Sequence, residues 1–364
     1  MPRVTARQIV DRFSASTFAN VTAGVPVQPL RYRDFFPLAF NTGLTFGSIE
    51  AQTGAIMAPV VAKGSRAPRI SRLLPKGITG EIPKIEVARD QDEEDFWTIQ
   101  KLQDEVQAAI SRGTSNAGAE SQLNNAIYGD AIDTVMGVNA RLEYIAKQIA
   151  STGKVSLDAT NNSQGVQGLE FDFGTNVVTP DKFWDDEESD PMKDMTALSG
   201  ANYGITDLAT ARKILDSKKI KALVYGNSNQ DNSVTPTLEQ ANDRLRAFGL
   251  PQIVVWETEV QQENKSGEIE TVTGWESNNI LFVPDLEMGN TQYAVLRSSI
   301  FSAQNRTIGG VTRNLVDNFI LSQIWGEMDP ERLSTKATAY AFPVMNNISR
   351  SNIVKAFKTA EEGN

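Results

Sequence analysis

A single apolar stripe constrains this chain more than any other feature. Leu123, Ile127, Ala131, Val135, Val138, Leu142, Ile145 and Ile149 recur at intervals of three and four. That period places side chains on one face of an α-helix. The spacing predicts a helix over 121–152, a rod of about 48 Å at 1.5 Å per residue. Thr152-Gly153 supplies its stop, because glycine takes up the left-handed C-cap conformation. A rod far longer than the ~11-residue average helix reads as a scaffold on which other elements are laid. Its polar faces lack the regular charge pairing of a coiled coil.

The segments before the rod have different characters. Phe96, Ile99, Leu102, Val106 and Ile110 define a second helical face, separated from the rod by GTSNAG at 113–118. Asp90, Asp92, Glu93, Glu94 and Asp95 precede it. Carboxylates in a first turn complement the helix dipole, whereas a calcium or magnesium loop would need interleaved ligands and a glycine. Residues 54–89 carry seven basic side chains, Lys63, Arg66, Arg69, Arg72, Lys76, Lys84 and Arg89, against Glu81 and Glu86. PKGITGEIP at 75–83 is punctuated like a turn between two strands, and IEV at 85–87 reads as a strand. A long, mostly solvated two-stranded loop results, which must lie against another surface to be stable. At the start, Ile9, Val10 and Phe13 fit a short helix. VTAGVPVQPLRYRDFFP then has three prolines in 17 residues and favours extended chain. The expected arm wraps Phe35, Phe36, Phe40 and Phe46 onto its own domain.

After the rod, 154–174 reads as two strands around an Asn/Gly/Ser turn, and WDDEESDPMKD at 184–194 as an acidic loop. TDLATARKILDSKK is a helix, KALVYG a short buried strand, TLEQANDRLRAFG a helix closed by Gly249, and PQIVVWETEV a strand. This rhythm suggests an α/β lobe near 201–335, followed by short strands at 337–345 and 352–357. A chain of 364 residues has room for about two such lobes.

Composition removes most chemistry. There is no histidine and no cysteine, which excludes Ser-His-Asp triads, thiol nucleophiles, disulfides, His-ligated zinc and iron–sulfur clusters. The phosphate-cradling G-x-x-x-x-G-K-[ST] and G-x-G-x-x-G loops are missing too. Thirty-five basic against 45 acidic residues give a formal charge of −10, unsuited to gripping nucleic acid electrostatically. No apolar run approaches the ~20 residues of a membrane span, and the polar N-terminus lacks a signal peptide's apolar region. The chain reads as soluble and cytoplasmic, with no catalytic residue, metal or cofactor assigned. A carboxylate- or metal-dependent hydrolase using 90–95 or 185–194 is the enzymatic alternative.

The order of parts resembles a tailed-bacteriophage major capsid protein, and more closely the lambda-type major head protein E family. FFP at 35–37, AIMAPVVAKG at 55–64, GKVSLD at 153–158 with LEFDFG at 169–174, and Trp184 followed by Asp190-Pro191 and Asp194 match its local patterns. FVPDLEMGNT at 282–291 and DPER at 329–332, before AFPVM, complete the series. The resemblance implies an α+β, HK97-like fold. It divides into an N-terminal arm at 1–47, an E-loop at 48–92, a P domain from 93–200 and 338–364 containing the long spine helix, and an A domain at 201–337. It implies a structural protein of the virion, assembled in the host cytoplasm. Copies would form hexamers and pentamers that enclose double-stranded DNA without sequence-specific binding. Scaffolding and portal proteins are implied partners, a decoration protein is left open, and an encapsulin-like cargo shell is the alternative. Lys63, Arg66, Arg69, Arg72 and Lys76 are then expected to meet acidic groups of a neighbouring subunit: Asp90, Asp92, Glu93 and Glu94, or Asp185, Asp186, Glu187 and Glu188.

Overall fold

The computed structural model describes residues 15–23, 29–49, 77–186, 188–198, 200–226, 234–295, 306–308 and 310–358. Its axis is the spine helix, α4 (Ala117–Thr152), about 54 Å long at 1.5 Å per residue. Asn116 caps its start, with Oδ1 accepting from the Ala119 amide at 3.2 Å. Gly153 ends it at φ 71°, donating its amide to Ile149. The glycine is required twice over, since a Cβ there would also strike the Thr175 side chain. Helix α3 (Glu93–Ser111) precedes the spine and packs on its N-terminal half through Phe96 and Ile99. Two short helices lie earlier, α1 (Ala15–Ala23) and the single turn α2 (Tyr32–Phe35).

Two sheets embrace the spine. Seven described strands form the larger: β1 (Leu38–Asn41), β4 (Lys84–Gln91), β13 (Gly289–Ala294), β14 (Arg306–Ile308), β15 (Val311–Val316), β16 (Ile320–Met328) and β17 (Glu331–Met345). Strand β17 is the hub, paired antiparallel with β13, β16 and β4. Its close approach to β13 requires Gly289, where a Cβ would fall onto the Val344 carbonyl. Five further strands, β7 (Asn176–Val178), β8 (Tyr203–Thr206), β9 (Gln252–Val255), β12 (Asn279–Val283) and β18 (Asn352–Lys355), run in the order β7-β18-β12-β8-β9. Beside that sheet lie α5 (Pro191–Ala197), α6 (Leu208–Asp216), α7 (Lys218–Tyr225) and α8 (Leu238–Ala247). Three ribbons complete the fold: β2 (Thr45–Ile49) with β3 (Gly77–Glu81), β5 (Lys154–Leu157) with β6 (Leu169–Asp172), and β10 (Val260–Glu263) with β11 (Ile269–Val272).

Several expectations hold. The rod, the preceding helix, the strand pair after the rod and the helices at 208–216 and 238–247 are all present. The quoted motifs also have structural roles. Trp184 donates Nε1–H to Asp194 at 2.8 Å, while Asp190 caps α5 and Pro191 opens it. Phe35, Phe36 and Phe46 are buried in the main core, as a self-wrapped arm requires; Phe40 is exposed.

Others are corrected. KALVYG is not a strand but most of α7: Ser217 caps it, and Ile220, Leu223 and Val224 share its inner face. An apolar run this short fits either period. PKGITGEIP is not a hairpin turn. Gly77–Glu81 is itself a strand, paired with Thr45–Ile49, while IEV belongs to β4 and pairs with β17. The arm is not wholly extended, because Ala15–Ala23 and Tyr32–Phe35 are helical. The lobe expected over 201–335 is smaller, since the strands from Gly289 to Met345 join the sheet on the spine. The last strand, β18, lies in the five-stranded sheet instead. The helix expected around Ile9, Val10 and Phe13 lies outside the described residues.

Candidate functional site

In a chain with neither histidine nor cysteine, surfaces and the joints that hold them are the candidate sites. Lys63, Arg66, Arg69, Arg72 and Lys76 lie outside the described residues. The residues that flank this segment are described: Ile49 and Gly77 face each other at the end of the β2–β3 ribbon. Side chains dock this ribbon on the larger sheet. Phe46 stacks on Phe342 at 4.9 Å and meets Phe171 edge-on at 5.2 Å. The Gln292 amide donates to the Gly47 carbonyl at 2.8 Å and accepts from the Gly47 amide at 3.2 Å. Gly80 lies so close to the rings of Phe171 and Phe46 that a Cβ would overlap both.

The two acidic runs lie apart, one at the end of β4 and the start of α3, the other in a turn beside the five-stranded sheet. Asp90 lies on β4 opposite Ser334. Asp92 is a helix cap: its Oδ1 accepts from the Glu94 amide at 2.9 Å, and Asp95 accepts from the Asp92 amide at 3.0 Å. Glu93 and Glu94 are exposed in the first turn of α3. Beside the five-stranded sheet, Asp185 and Asp186 are exposed and Glu188 pairs with Lys182; Glu187 lies outside the described residues. Asp186 Oδ1 accepts from the Glu188 amide at 2.9 Å, a turn anchored by buried Trp184. Asp185 and Asp186 border an open cleft of about 460 Å³ with Lys213, Asp216, Lys218 and Lys219. Among the described residues no group of three acidic side chains could hold a metal.

The joint at the centre was missed by pattern reading. Glu143 is 0% exposed and takes four hydrogen bonds, two on each carboxylate oxygen. Oε2 accepts from the amides of Arg31 at 3.0 Å and Tyr32 at 2.6 Å. Oε1 accepts from Trp256 Nε1 at 2.6 Å and from the Thr258 hydroxyl. One turn on, Lys147 is 1% exposed, donates to the Thr258 carbonyl and lies over the Trp256 ring. Burial pushes its pKa down to about 8 against the opposing pull of Glu143, Asp207, Glu259 and Glu257. Asn139, a turn earlier, accepts from the Tyr32 hydroxyl at 2.8 Å and from Arg33, which also pairs with Asp317 at 2.6 Å. Burial pushes the Tyr32 phenol up to about 12. One face of the spine thus ties together the arm, the segment after β9 and the β15–β16 turn. A Glu four residues before a Lys on a helix usually marks a solvated pair, so the sequence signal pointed outward.

No family model matches the sequence, and no curated protein does. Among solved structures, the chain is similar to a protein assigned as the capsid protein of a prophage of E. coli CFT073. The identity is 15%, the TM-score 0.52, and the match covers 98% of this chain and 99% of that one. A phage-related protein of Bordetella bronchiseptica RB50 is also similar, with 10% identity, a TM-score of 0.46 and 97% and 98% of the chains covered. So is a virus-like particle protein of Pyrococcus furiosus, with 10% identity, a TM-score of 0.42 and 94% and 99% covered. The chain has the α+β, HK97-like fold of phage capsid proteins.

Proposed function

We propose that this chain is the major capsid protein of a tailed phage or prophage, a structural subunit whose copies close into an icosahedral shell. The observation that carries this reading is the end-to-end fold match with the prophage capsid protein, which leaves almost no part of either chain uncovered. A shell needs one chain to make several heterologous contacts that close rings. The side-chain-docked ribbon bearing a basic segment, and the acidic runs at the start of α3 and beside the five-stranded sheet, supply surfaces of opposite charge for such contacts. In this reading 1–47 is the arm, 48–92 the loop, and 93–200 with 338–364 the P domain that contains the spine. The A domain is 201–337, whose strands from Gly289 onward join the sheet on the spine.

Hexamers and pentamers are the proposed capsomers, with scaffolding and portal proteins as assembly partners, built in the host cytoplasm and ending in the virion. Packaged DNA needs no specific grip; a wall of net charge −10 repels the genome and leaves it free to pack. The test is electron microscopy of the expressed chain, alone and with its scaffold. Rings, tubes or closed shells are expected. A small monodisperse particle under all conditions overturns the reading.

A further inference from the structure

Strand β9 is the last described strand of its sheet, and its sequence is one that invites pairing. Gln252, Ile253, Val254 and Val255, followed by Trp256, are uncharged and β-prone, the composition that adds strands from other chains when an edge is open. Pairing with β8 uses alternate groups: the amides of Gln252 and Trp256 donate to Asn202 and Thr206 carbonyls at 2.9 Å each. By the two-residue period of a strand, the backbone groups of Ile253 and Val255 therefore face away from the sheet.

Those groups are met by side chains. On α8, Asn242 accepts from the Ile253 amide through Oδ1 at 2.7 Å and donates from Nδ2 to the Ile253 carbonyl at 2.8 Å. This reproduces the two-bond exchange that a residue of an antiparallel neighbour would make. Arg31 Nη1, from the arm, donates to the Val255 carbonyl at 2.9 Å. Pro251, just before the strand, has no amide to offer. Asn242 is held in place by its helix: Ala241 and Leu245 are buried at 1% and 0% exposure, and Thr237 and Gln240 form a reciprocal cap.

We propose that Asn242, with Arg31, seals the β9 edge against strand addition by the same segment of another copy. A chain that associates with itself is thereby confined to its other surfaces. The chemistry is specific to asparagine, since only an amide supplies donor and acceptor at this reach; aspartate would set a carboxylate against the Ile253 carbonyl. The proposal concerns an edge that other copies do not use and stands whether or not the capsid reading holds.

The experiment compares N242A with L245A, which opens a core cavity on the same helix and leaves the Asn242 hydrogen bonds to the edge in place. Hydrogen exchange of the wild type comes first. The Ile253 amide should be protected despite its edge position, and an unprotected amide overturns the proposal without any variant. In N242A that protection should fall about tenfold, the equivalent of one hydrogen bond of about 1.4 kcal/mol. The variant should form thioflavin-binding aggregates faster than L245A at equal concentration. Aggregation no faster than that of L245A overturns the proposal. If N242A does not fold, N242S, whose hydroxyl is too short to span both Ile253 groups, serves in its place and is held to the same comparison.

Discussion

Among the described residues, Glu143 is a fully buried carboxylate that joins segments far apart in the chain. It is acceptor-only, it is buried, and its four donors come from the arm and from the segment after β9. Truncation strands those donors away from water, so E143A should cost about 3–5 kcal/mol. The check is urea unfolding, with a lower midpoint and an unchanged slope. Lys147 beside it gives a pH signature. Its folded pKa of about 8 lies below its ordinary 10.5, so between these values the unfolded chain binds more protons. Stability should therefore rise from about pH 8 towards pH 10. Tyr32 works oppositely: its folded pKa of about 12 lies above its ordinary 10, so its contribution is present below pH 10 and is lost from there to pH 12. Denaturation midpoints measured from pH 7 to 10 should climb in the wild type and lose that climb in K147M.

The β2–β3 ribbon is held to the larger sheet by side chains rather than by a ladder. Among the described residues it has no backbone ladder to the larger sheet; Phe46, Gln292 and the close fit at Gly80 hold it. Adding a methyl group at Gly80 should push the ribbon off the Phe171 ring at a cost of about 1–3 kcal/mol. Hydrogen exchange in G80A is expected to rise across β2 and β3 while the spine helix stays protected. Equal loosening of both would mean that the ribbon and the spine unfold as one unit. The spine itself changes character along its length. Its first turns are largely exposed, whereas Asn139, Glu143, Lys147 and Ser151 are buried beyond the apolar stripe. A single stripe describes a helix lying on one surface, and this helix runs between two sheets.

For the whole molecule, the proposed interfaces are electrostatic and distributed. An exposed ion pair contributes only about 0–1 kcal/mol, so reversing one loop charge should change little. Reversing Arg66, Arg69 and Arg72 together should abolish shell formation while circular dichroism and the unfolding midpoint of the monomer stay unchanged. Normal shell yield from the triple variant would remove the loop from the interface. Asp92 is the weakest of the proposed acidic partners, because its carboxylate already caps α3. Charge reversal at Glu93 and Glu94 should weaken assembly more than D92N does, measured as the concentration at which shells appear.

What the sequence determined by itself was local. The spine period, the glycine stop at 153, the acidic start of the helix after Asp92 and the ribbon around 154–172 depend on residues within a few turns of each other, so their spacing is written in the chain. The tertiary structure alone decided what lies far apart in sequence. IEV became a partner of β17, and the strands after Gly289 left the lobe they seemed to belong to. Glu143 and Lys147, shaped like a solvated pair, were buried by groups more than a hundred residues distant. Whether a strand finds one neighbour or another, and whether a charge meets water or a ring of donors, depends on which surfaces the folded chain brings together, and a period of 2 or 3.6 residues carries no information about that.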